Sequence, residues 1–327
     1  MMKTLASMDI GTYTARLLIA EGSGPPPVLM PLARRRGYIR LAGGKSARER
    51  QRITRQAAAR TVEIINEFRR CMGEFHVSEA VAAATGFVRD AENREEFLDF
   101  VSRGTGMRLY PVTGEEEALL SAKGVAFALG PLPVPSIVLD LGGGSTEFVV
   151  RNGIRSMAKS TPLGAALLNR LFMGADPPAS RDLARIERHV DEVLGKALSP
   201  FRRERHSWHA AATGGTAAAL AAVHYGIPVE EILPEKMNGL SLTVGEIETL
   251  FKRMISCTLK ERIAWSGLER ERAEVLVPGS LLLLRILRFF RASRVVVCLS
   301  DLLEGMLVQR LEGEKHDEQG HSNWIHL

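Results

Sequence analysis

The sequence predicts an α/β protein made of two similar domains. Short apolar or β-branched runs alternate with longer amphipathic segments, which is the pattern of sheets covered by helices. The chain of 327 residues is about twice as long as a typical domain of ~150 residues. In both halves an apolar strand ends in aspartate before glycine and a hydroxyl residue, in Met8-Asp-Ile-Gly-Thr12 and Leu139-Asp-Leu-Gly-Gly-Gly-Ser145. Because Asp9 and Asp140 lie 131 residues apart, this repeat indicates a duplicated domain.

The same patterns place the individual elements. The predicted strands span residues 4–9, 15–21, 80–85, 136–141, 147–151, 209–213 and 294–298. The predicted helices span residues 47–72, 93–102, 115–129, 165–172, 180–198, 216–224, 244–255 and 279–290. Three prolines within residues 130–135 cannot continue a helix, so we place the domain boundary there, between a domain of residues 1–130 and one of residues 131–301. Residues 314–327 are expected to form a polar, mobile tail.

Composition narrows the function classes. With 45% apolar and 25% charged residues the chain is an ordinary globular protein, which excludes intrinsic disorder and fibrous architectures. Its net charge of +5 favours anionic ligands such as phosphates. Basic runs at residues 34–36, 48–60 and 202–205 either attract a polyanion or form a solvated face. Aromatic residues make up only 6% and form no stripe interleaved with Arg or Lys, so nucleic acid is an unexpected partner.

The sequence also indicates the compartment. Three cysteines, Cys71, Cys257 and Cys298, show no Cys-x-x-Cys spacing, so we expect neither a disulfide framework nor a structural zinc site. The first residues lack the features of a signal peptide. The most apolar stretch, residues 275–290, contains a proline and two arginines and falls short of the ~18 uncharged residues of a membrane span. We therefore expect a reduced, cytoplasmic protein without a membrane partner.

The segment Asp140-Leu-Gly-Gly-Gly-Ser-Thr-Glu147 is the strongest motif. Its glycines let backbone N–H groups approach a ligand and its hydroxyls add donors, so the loop can cradle a phosphate. Asp140 and Glu147 bracket the loop as hard oxygen ligands suited to Mg²⁺ or Ca²⁺. A Rossmann site is excluded because Glu147 takes the place of the third glycine and a strand follows. A tight glycine-rich hairpin turn is the alternative.

Three further segments carry candidate chemistry. Ala212-Thr-Gly-Gly-Thr216 opens a helix and suits either an anion or a simple N-cap. In Gly114-Glu-Glu-Glu-Ala118, the acids either stabilise the helix through its dipole or include a general base that activates a water molecule. Arg89 follows a strand, where a guanidinium either clamps a phosphate or lies at the surface.

In their order, these motifs resemble those of the exopolyphosphatase and guanosine pentaphosphate phosphatase family (Ppx/GppA) of the actin-like superfold. The matching segments are residues 9–12, 85–93, 114–118, 140–147, 162–165, 212–216, 272–279 and 304–305. They cover nearly the whole chain, whose length is similar to that of the short, two-domain members. The resemblance implies two actin-like (ribonuclease H-like) domains around a central cleft, the first completed by a C-terminal helix, 302–313. It also implies hydrolysis of a terminal phosphoanhydride bond.

The resemblance implies roles for individual residues. Glu117 looks like the catalytic base that activates water. Asp140 and Glu147 look like ligands of Mg²⁺ or another divalent cation, partly through waters, with Asp9 facing them across the cleft. The phosphate-binding residues that it implies are Asp9, Gly11, Thr12, Arg89, Gly143, Gly144, Ser145, Gly214 and Gly215.

Three positions depart from the family pattern. Tyr13 stands where the family usually has Asn, and Leu167 and Leu303 stand where it commonly has Arg. Since two charge-assisted contacts are missing, we expect inorganic polyphosphate to be preferred over guanosine pentaphosphate. The alternatives are a guanosine pentaphosphate phosphohydrolase and a non-catalytic regulator that binds polyphosphate or an alarmone. Family members are often dimers, so a homodimer is a further expectation.

Overall fold

The structure, a computed structural model, describes residues 2–41, 52–201, 207–313 and 325–326. The chain divides into two compact units. The first comprises Met1–Gly124 and Leu302–Leu327, and the second comprises Val125–Asp301. Each unit has its own sheet and its own apolar core.

The elements of the described residues are numbered in chain order. The strands are β1 (Lys3–Ile10), β2 (Thr14–Ser23), β3 (Val28–Tyr38), β4 (Glu79–Ala84), β5 (Tyr110–Pro111), β6 (Ser136–Leu141), β7 (Thr146–Asn152), β8 (Arg155–Thr161), β9 (His209–Thr213), β10 (Ser241–Thr243), β11 (Arg294–Val297) and β12 (Ile325–His326). The helices are α1 (Arg55–Glu74), α2 (Phe87–Asp90), α3 (Arg94–Thr105), α4 (Gly114–Leu129), α5 (Ala165–Phe172), α6 (Ser180–Ala197), α7 (Gly215–Tyr225), α8 (Pro234–Met237), α9 (Val244–Ile255), α10 (Leu259–Ile263), α11 (Arg270–Ala273), α12 (Leu276–Phe289) and α13 (Leu302–Leu311).

The first sheet is covered by helices on both faces. Strands β1, β2 and β3 form an antiparallel meander, and β4 and β5 continue the sheet beyond β1 as parallel neighbours. On one face Leu17 packs in a cluster with Ile65 of α1, and on the other Leu18 packs with Leu307 of α13. A strand buried on both faces is apolar throughout, which explains the continuous apolar run in β2.

The second sheet repeats the same arrangement. Strands β6, β7 and β8 form an antiparallel meander, and β9 and β11 extend the sheet beyond β6 as parallel strands, with β10 at the edge. Both sheets therefore have the strand order of a ribonuclease H-like domain. In each unit the first hairpin occupies the same position, so Asp9 near the end of β1 corresponds to Asp140 near the end of β6.

Three of the strands that the sequence analysis did not predict lie at sheet edges. Strand β3 contains Pro31 and the run Arg34-Arg-Arg36, and its alternation is interrupted by a bulge opposite Ile19 and Ala20. An edge strand tolerates proline and charge because one side of its backbone faces away from the ladder. Strands β8 and β10 are also edge strands: β8 contains Arg155 and Lys159, and β10 spans only Ser241–Thr243, which is too short for a periodic pattern.

Two terminal segments differ from their predicted extent. The helix expected over residues 47–72 begins at Arg55, where Thr54 accepts a hydrogen bond from the Ala57 N–H. Residues 47–51 lie outside the described part of the chain. Of the predicted tail, 314–327, only Ile325 and His326 are described, and they pair antiparallel with Ala80 and Glu79.

The described helices include none that is long and apolar enough to cross a membrane. Even α12, the most apolar of the long helices, spans only 14 residues. Most of the apolar residues of α12 pack in the core of the second unit.

Glu79 ties three parts of the first unit together. Its carboxylate is buried at the start of β4 and accepts hydrogen bonds from Lys3 Nζ at 2.6 Å and from Arg310 Nε at 2.8 Å. Burial raises the pKa of Glu79, but the hydrogen bonds and charges of Lys3 and Arg310 outweigh it, so the net pKa lies below its ordinary value of 4.5. A carboxyl group with a lowered pKa stabilises the folded state above its ordinary pKa and loses that contribution as pH falls through the lowered pKa.

We predict that Glu79→Gln lowers the free energy of unfolding at pH 7 by about 1–3 kcal/mol, because two cations lose a charged partner. The deficit should shrink as pH falls below 4.5, where the carboxyl of the unfolded chain becomes protonated, and vanish below the lowered pKa of the native carboxyl. Urea unfolding at pH 7 and pH 3.5 measures both differences. Glu67→Gln, on the exposed face of α1, is the matched control and should change neither value. A deficit that is equal at both pH values would contradict the electrostatic explanation.

Candidate active site

The three consecutive acids at the start of α4 have different environments. Glu115 is exposed. Glu116 forms a capping box with Thr113, because the Thr113 N–H donates to Glu116 Oε2 at 2.7 Å and the Glu116 N–H donates to Thr113 Oγ1 at 3.2 Å. Glu117 is buried, with 8% of its surface exposed. The helix-stabilising interpretation therefore applies to Glu116, and Glu117 is the acid that remains for chemistry.

Glu117 pairs with the other candidate of its unit. Arg89 Nη1 donates to Glu117 Oε2 at 2.9 Å, and the same nitrogen reaches the Val112 carbonyl at 3.4 Å. Arg89 lies on α2, directly after β4, and its side chain is 18% exposed. The structure thus brings the predicted phosphate clamp and the predicted base into direct contact, although they are 28 residues apart in sequence.

The turn between β1 and β2 is fixed to the same short helix. The Phe87 N–H donates to Thr12 Oγ1 at 3.0 Å, and the Gly11 N–H closes the turn on the Thr14 carbonyl at 3.0 Å. Gly86 has φ of +50°, and a Cβ there would lie 2.6 Å from Thr12 Oγ1. Glycine at position 86 therefore allows the turn and α2 to meet, which sets Thr12 beside the helix that carries Arg89.

Asp9 is engaged by two neighbouring side chains. Arg16, directly opposite on β2, donates to Asp9 Oδ2 from Nε at 3.0 Å and from Nη2 at 2.8 Å. Thr85 Oγ1 donates to Asp9 Oδ1 at 2.9 Å. The Asp9 side chain is 8% exposed, whereas 27% of the Arg16 side chain is exposed. Asp9 consequently orients Arg16, a cation that sequence reasoning did not single out.

The corresponding pair of the second unit consists of two acids. Asp140 on β6 and Glu147 on β7 are directly opposite each other in the register of the hairpin. Glu147 is 2% exposed, and Ser160 Oγ on β8 donates to its Oε1 at 2.7 Å. Like charges directly opposite each other destabilise a sheet. The position that holds an Asp–Arg pair in the first unit therefore holds, in the second, two carboxylates, the hard oxygen ligands that divalent cations prefer.

The glycine loop between β6 and β7 is supported by α5. The Ala165 N–H donates to the Gly142 carbonyl at 3.1 Å, and the Leu167 N–H donates to the Gly143 carbonyl at 2.9 Å. In a trans peptide group the N–H of one residue points opposite to the carbonyl of the residue before it. The N–H groups of Gly143 and Gly144 therefore point away from α5, as in an anion-binding nest.

A second glycine loop begins α7. Gly214 has φ of +91°, and a Cβ there would lie 2.5 Å from the Leu141 carbonyl oxygen, so this loop packs closely on the end of β6. A Cβ on Gly215 would lie 2.1 Å from Arg272 Cζ. The Arg272 guanidinium thus lies against the first turn of the helix, where N–H groups favour an anion. Arg272 lies in residues 272–279, one of the segments that match the family pattern, but the sequence alone assigns it no role.

Asp301 is another buried group near this loop. Its carboxylate is 2% exposed, and Thr213 Oγ1 donates to its Oδ2 at 3.4 Å. Thr213 ends β9 and is paired in register with Asp140. Asp301 follows β11, and β11 pairs in parallel with β9, which ends at Thr213. No local sequence pattern distinguishes Asp301, because only this strand pairing brings it close to Thr213.

The donor set of Asp140 and Glu147 fits Mg²⁺. Within the described residues no group of three or more His, Cys, Asp or Glu side chains could enclose a metal ion. Mg²⁺ does not need such an enclosure, because it is commonly held by one or two carboxylates and completes its octahedron with waters and substrate phosphates. Two opposed carboxylates are therefore a suitable partial site, whereas a zinc site with three or four protein ligands is not supported.

Comparison with known proteins identifies the family. The model of the Ppx/GppA phosphatase family matches residues 19–314. The chain belongs to the Ppx/GppA phosphatase family. Exopolyphosphatase 1 of Mycobacterium leprae is 29% identical over 95% of this chain and 90% of its own length. Exopolyphosphatase 2 of Mycobacterium tuberculosis is 29% identical over 92% of this chain and 97% of its own length.

Solved structures agree with the Ppx/GppA assignment. The Ppx/GppA family member of Aquifex aeolicus is 29% identical, covers 97% of this chain and 100% of its own, and superposes with a TM-score of 0.80. An exopolyphosphatase from Cytophaga hutchinsonii is 27% identical, and the match covers 96% of this chain and 99% of its own. It superposes with a TM-score of 0.83. The expected fold class, α/β with two actin-like domains, is confirmed. The expected enzyme class, a phosphoanhydride hydrolase, is confirmed by the family, and the roles of individual residues remain predictions.

Gly164 offers a test of the glycine loop in this Ppx/GppA phosphatase. A Cβ at Gly164 would lie 2.4 Å from the backbone of Gly143 and Gly144, while its φ of −132° suits any residue. We predict that Gly164→Ala displaces the loop and lowers phosphate release by about ten- to a hundredfold, as misplacement of ~1 Å typically does. Gly245→Ala, which has no heavy atom within 4 Å of the added Cβ, is the matched control. If Gly164→Ala turns over substrate at the wild-type rate, the glycine loop does not belong to the active site.

Proposed function

We propose that this Ppx/GppA phosphatase removes the terminal phosphate of inorganic polyphosphate, using water activated by Glu117. The contact between Arg89 and Glu117 carries the proposal, because it sets a phosphate-binding cation 2.9 Å from a buried carboxylate. The name of the mycobacterial exopolyphosphatases, which match nearly the whole chain, supports polyphosphate as the substrate.

The proposed reaction is a direct hydrolysis. The water oxygen attacks the terminal phosphorus while Glu117 accepts the proton of that water, and the bond to the bridging oxygen breaks. The shortened chain leaves with the electron pair of that bond. Arg89 would bind an oxygen of the attacked phosphate and in doing so release part of its contact with Glu117. The arriving substrate would thereby give the base access to water.

The proposed phosphate contacts come from backbone N–H groups, hydroxyls and guanidinium groups. These residues are Gly11, Thr12, Arg89, Gly143, Gly144, Ser145, Gly214 and Gly215. The geometry adds Arg16 and Arg272 to the set, since each guanidinium lies next to one of these loops. Asp9 is itself an anion and repels phosphate, so we propose that Asp9 acts through Arg16 as a positioning residue.

Asp140 and Glu147 would hold a divalent cation such as Mg²⁺. Such a cation supplies charge neutralisation for the phosphate oxygens on which negative charge develops. Within the chain, Ser160 restricts the orientation of Glu147 by donating to its Oε1. The two carboxylates would also be relieved of their mutual repulsion across the hairpin.

Substrate preference follows from the positions that differ from the family pattern. Leu303 packs in the apolar cluster under the first sheet and Leu167 supplies only its N–H to the glycine loop, so neither provides a cation. Arg35 and Arg36 are exposed on β3 and would attract a long polyanion. Guanosine pentaphosphate hydrolysis is the second candidate, because the family includes that activity.

We predict that Glu117→Gln lowers phosphate release from polyphosphate by about 10²- to 10⁴-fold, the usual contribution of a general base. Binding of polyphosphate should change by only a few fold, since the amide keeps a contact for Arg89. Glu116→Gln is the matched control: it weakens the cap of α4 and should lower thermal stability more than turnover. Unchanged turnover in Glu117→Gln would assign the base elsewhere.

A second prediction concerns the metal. Asp140→Ala and Glu147→Ala should each shift the activity to higher Mg²⁺ concentration, because each removes a hard oxygen ligand. Titration of the initial rate with Mg²⁺ measures the shift, and Glu230→Ala, an exposed acid, serves as the control. Activity that persists undiminished in EDTA would refute the metal assignment.

A third prediction concerns the substrate. The kcat/KM for long-chain polyphosphate should exceed that for guanosine pentaphosphate, and it should fall between low and physiological ionic strength as salt screens the basic strand. Phosphate release from both substrates, measured side by side at two salt concentrations, provides the comparison. Equal values would refute the preference, and release from neither would favour the non-catalytic regulator.

A further inference from the structure

Arg89 lies on a helix of a single turn, so tertiary contacts must fix its position. Helix α2 spans only Phe87–Asp90. Helices this short are not stable in water without tertiary support. On the N-terminal side of α2 the Phe87 N–H donates to Thr12 Oγ1 at 3.0 Å. The contact that holds the C-terminal side of α2 comes from Asn93.

Asn93 forms two reciprocal hydrogen bonds with the backbone of Ile53. The Ile53 N–H donates to Asn93 Oδ1 at 2.8 Å, and Asn93 Nδ2 donates to the Ile53 carbonyl at 2.9 Å. The oxygen and the nitrogen of the amide thus both bind one residue, which is 40 positions away in the sequence. Ile53 directly precedes Thr54, the N-cap of the 20-residue helix α1, and its side chain is buried in the core of the first unit. The Asn93 amide therefore ties the segment after α2 to a well-fixed point of this unit.

The Asn93 side chain makes this contact in place of a local one. Asn93 occupies the N-cap position of α3. Asparagine is among the most favourable residues at an N-cap, because its side-chain oxygen accepts a hydrogen bond from an N–H group of the first turn. Here the side chain makes no such bond. The long-range contact with Ile53, and not the cap of α3, therefore accounts for asparagine at this position.

Neighbouring contacts extend the restraint to the backbone of Arg89. Arg94, the first residue of α3, donates from Nη1 to the Arg89 carbonyl at 3.2 Å. Arg52 also lies 3.8 Å from a Glu92 carboxylate oxygen and 3.5 Å from one of Glu96, but all three side chains are exposed. Exposed ion pairs contribute little to stability. The two hydrogen bonds of the amide are therefore the stronger link at this junction.

We propose that Asn93 is a positioning residue for the guanidinium of Arg89. Thr12 holds the N-terminal side of α2 and the contact of Asn93 with Ile53 holds its C-terminal side, so that Arg89 stays within reach of Glu117 and of the attacked phosphate. The proposal rests on the proposed role of Arg89 in phosphate binding. Asn93 acts on the reaction through Arg89 and is not itself a catalytic residue.

Asn93→Asp separates the long-range contact from the helix cap. Aspartate is an equally good N-cap, but one of its oxygens would face the Ile53 carbonyl with no proton to donate. We predict that kcat/KM for long-chain polyphosphate falls about ten- to a hundredfold, as after a misplacement of ~1 Å. Asn66→Asp is the matched control, because Asn66 Nδ2 donates in the same way to the Gly104 carbonyl at 3.2 Å, and it should leave kcat/KM unchanged. An unchanged kcat/KM in Asn93→Asp would overturn the proposal.

Combination with Arg89→Ala shows whether the effect passes through Arg89. If Asn93 acts only by placing that guanidinium, Asn93→Asp should lower kcat/KM no further in the Arg89→Ala background, because the effects of coupled residues are not additive. A full additional loss would show that Asn93 acts elsewhere and would overturn the proposal. A wild-type kcat/KM in Arg89→Ala alone would instead refute the proposed phosphate contact.

Hydrogen exchange provides a readout that does not depend on turnover. In Asn93→Asp the hydrogen-bonded amides of residues 86–94 should exchange about three- to tenfold faster than in the wild type, the usual effect of one lost hydrogen bond. Asn66→Asp should leave these rates unchanged. Wild-type exchange in Asn93→Asp would overturn the proposal even if turnover fell. Faster exchange without phosphate release from either substrate would refute the proposed function and leave Asn93 as the residue that fixes Arg89.

Discussion

The charge pattern of both units depends on one constraint, the pairing of residues seven positions apart across the first hairpin of each unit. In the first unit this register joins Asp9 to Arg16, and the pair is neutral and hydrogen-bonded on both carboxylate oxygens. In the second unit the same register opposes Asp140 and Glu147. The same backbone arrangement thus holds a neutral ion pair in the first unit and two acids in the second. One hairpin presents an oriented guanidinium that suits phosphate, and the other presents two carboxylates that suit a cation.

Around the first hairpin, short connections bring the remaining groups together. The hydroxyl of Thr12 fixes α2, and α2 carries Arg89 to the start of α4, where Glu117 is buried. A single short helix therefore links the proposed phosphate-binding turn to the proposed base.

Local patterns predicted the central strands from their apolar runs, the long helices from their amphipathic periodicity and the two glycine loops from their composition. Edge strands such as β3 could not be found this way, since their polar residues and prolines are compatible with loops. Among the three acids at the start of α4 only the family resemblance pointed to Glu117, because the run itself does not reveal which acid is buried. Arg272 and Asp301 come close to the loop between β9 and α7 only through tertiary packing, so no spacing in the sequence predicts their positions.

The most direct test of the opposed acids is thermal unfolding of the wild type and of Glu147→Gln, with and without Mg²⁺. The amide keeps an oxygen for Ser160 but removes the repulsion with Asp140. We predict that without Mg²⁺ the variant melts at a higher temperature than the wild type, and that Mg²⁺ raises the melting temperature of the wild type alone. A variant that is less stable without Mg²⁺, or that is stabilised by Mg²⁺ as strongly as the wild type, would contradict the account.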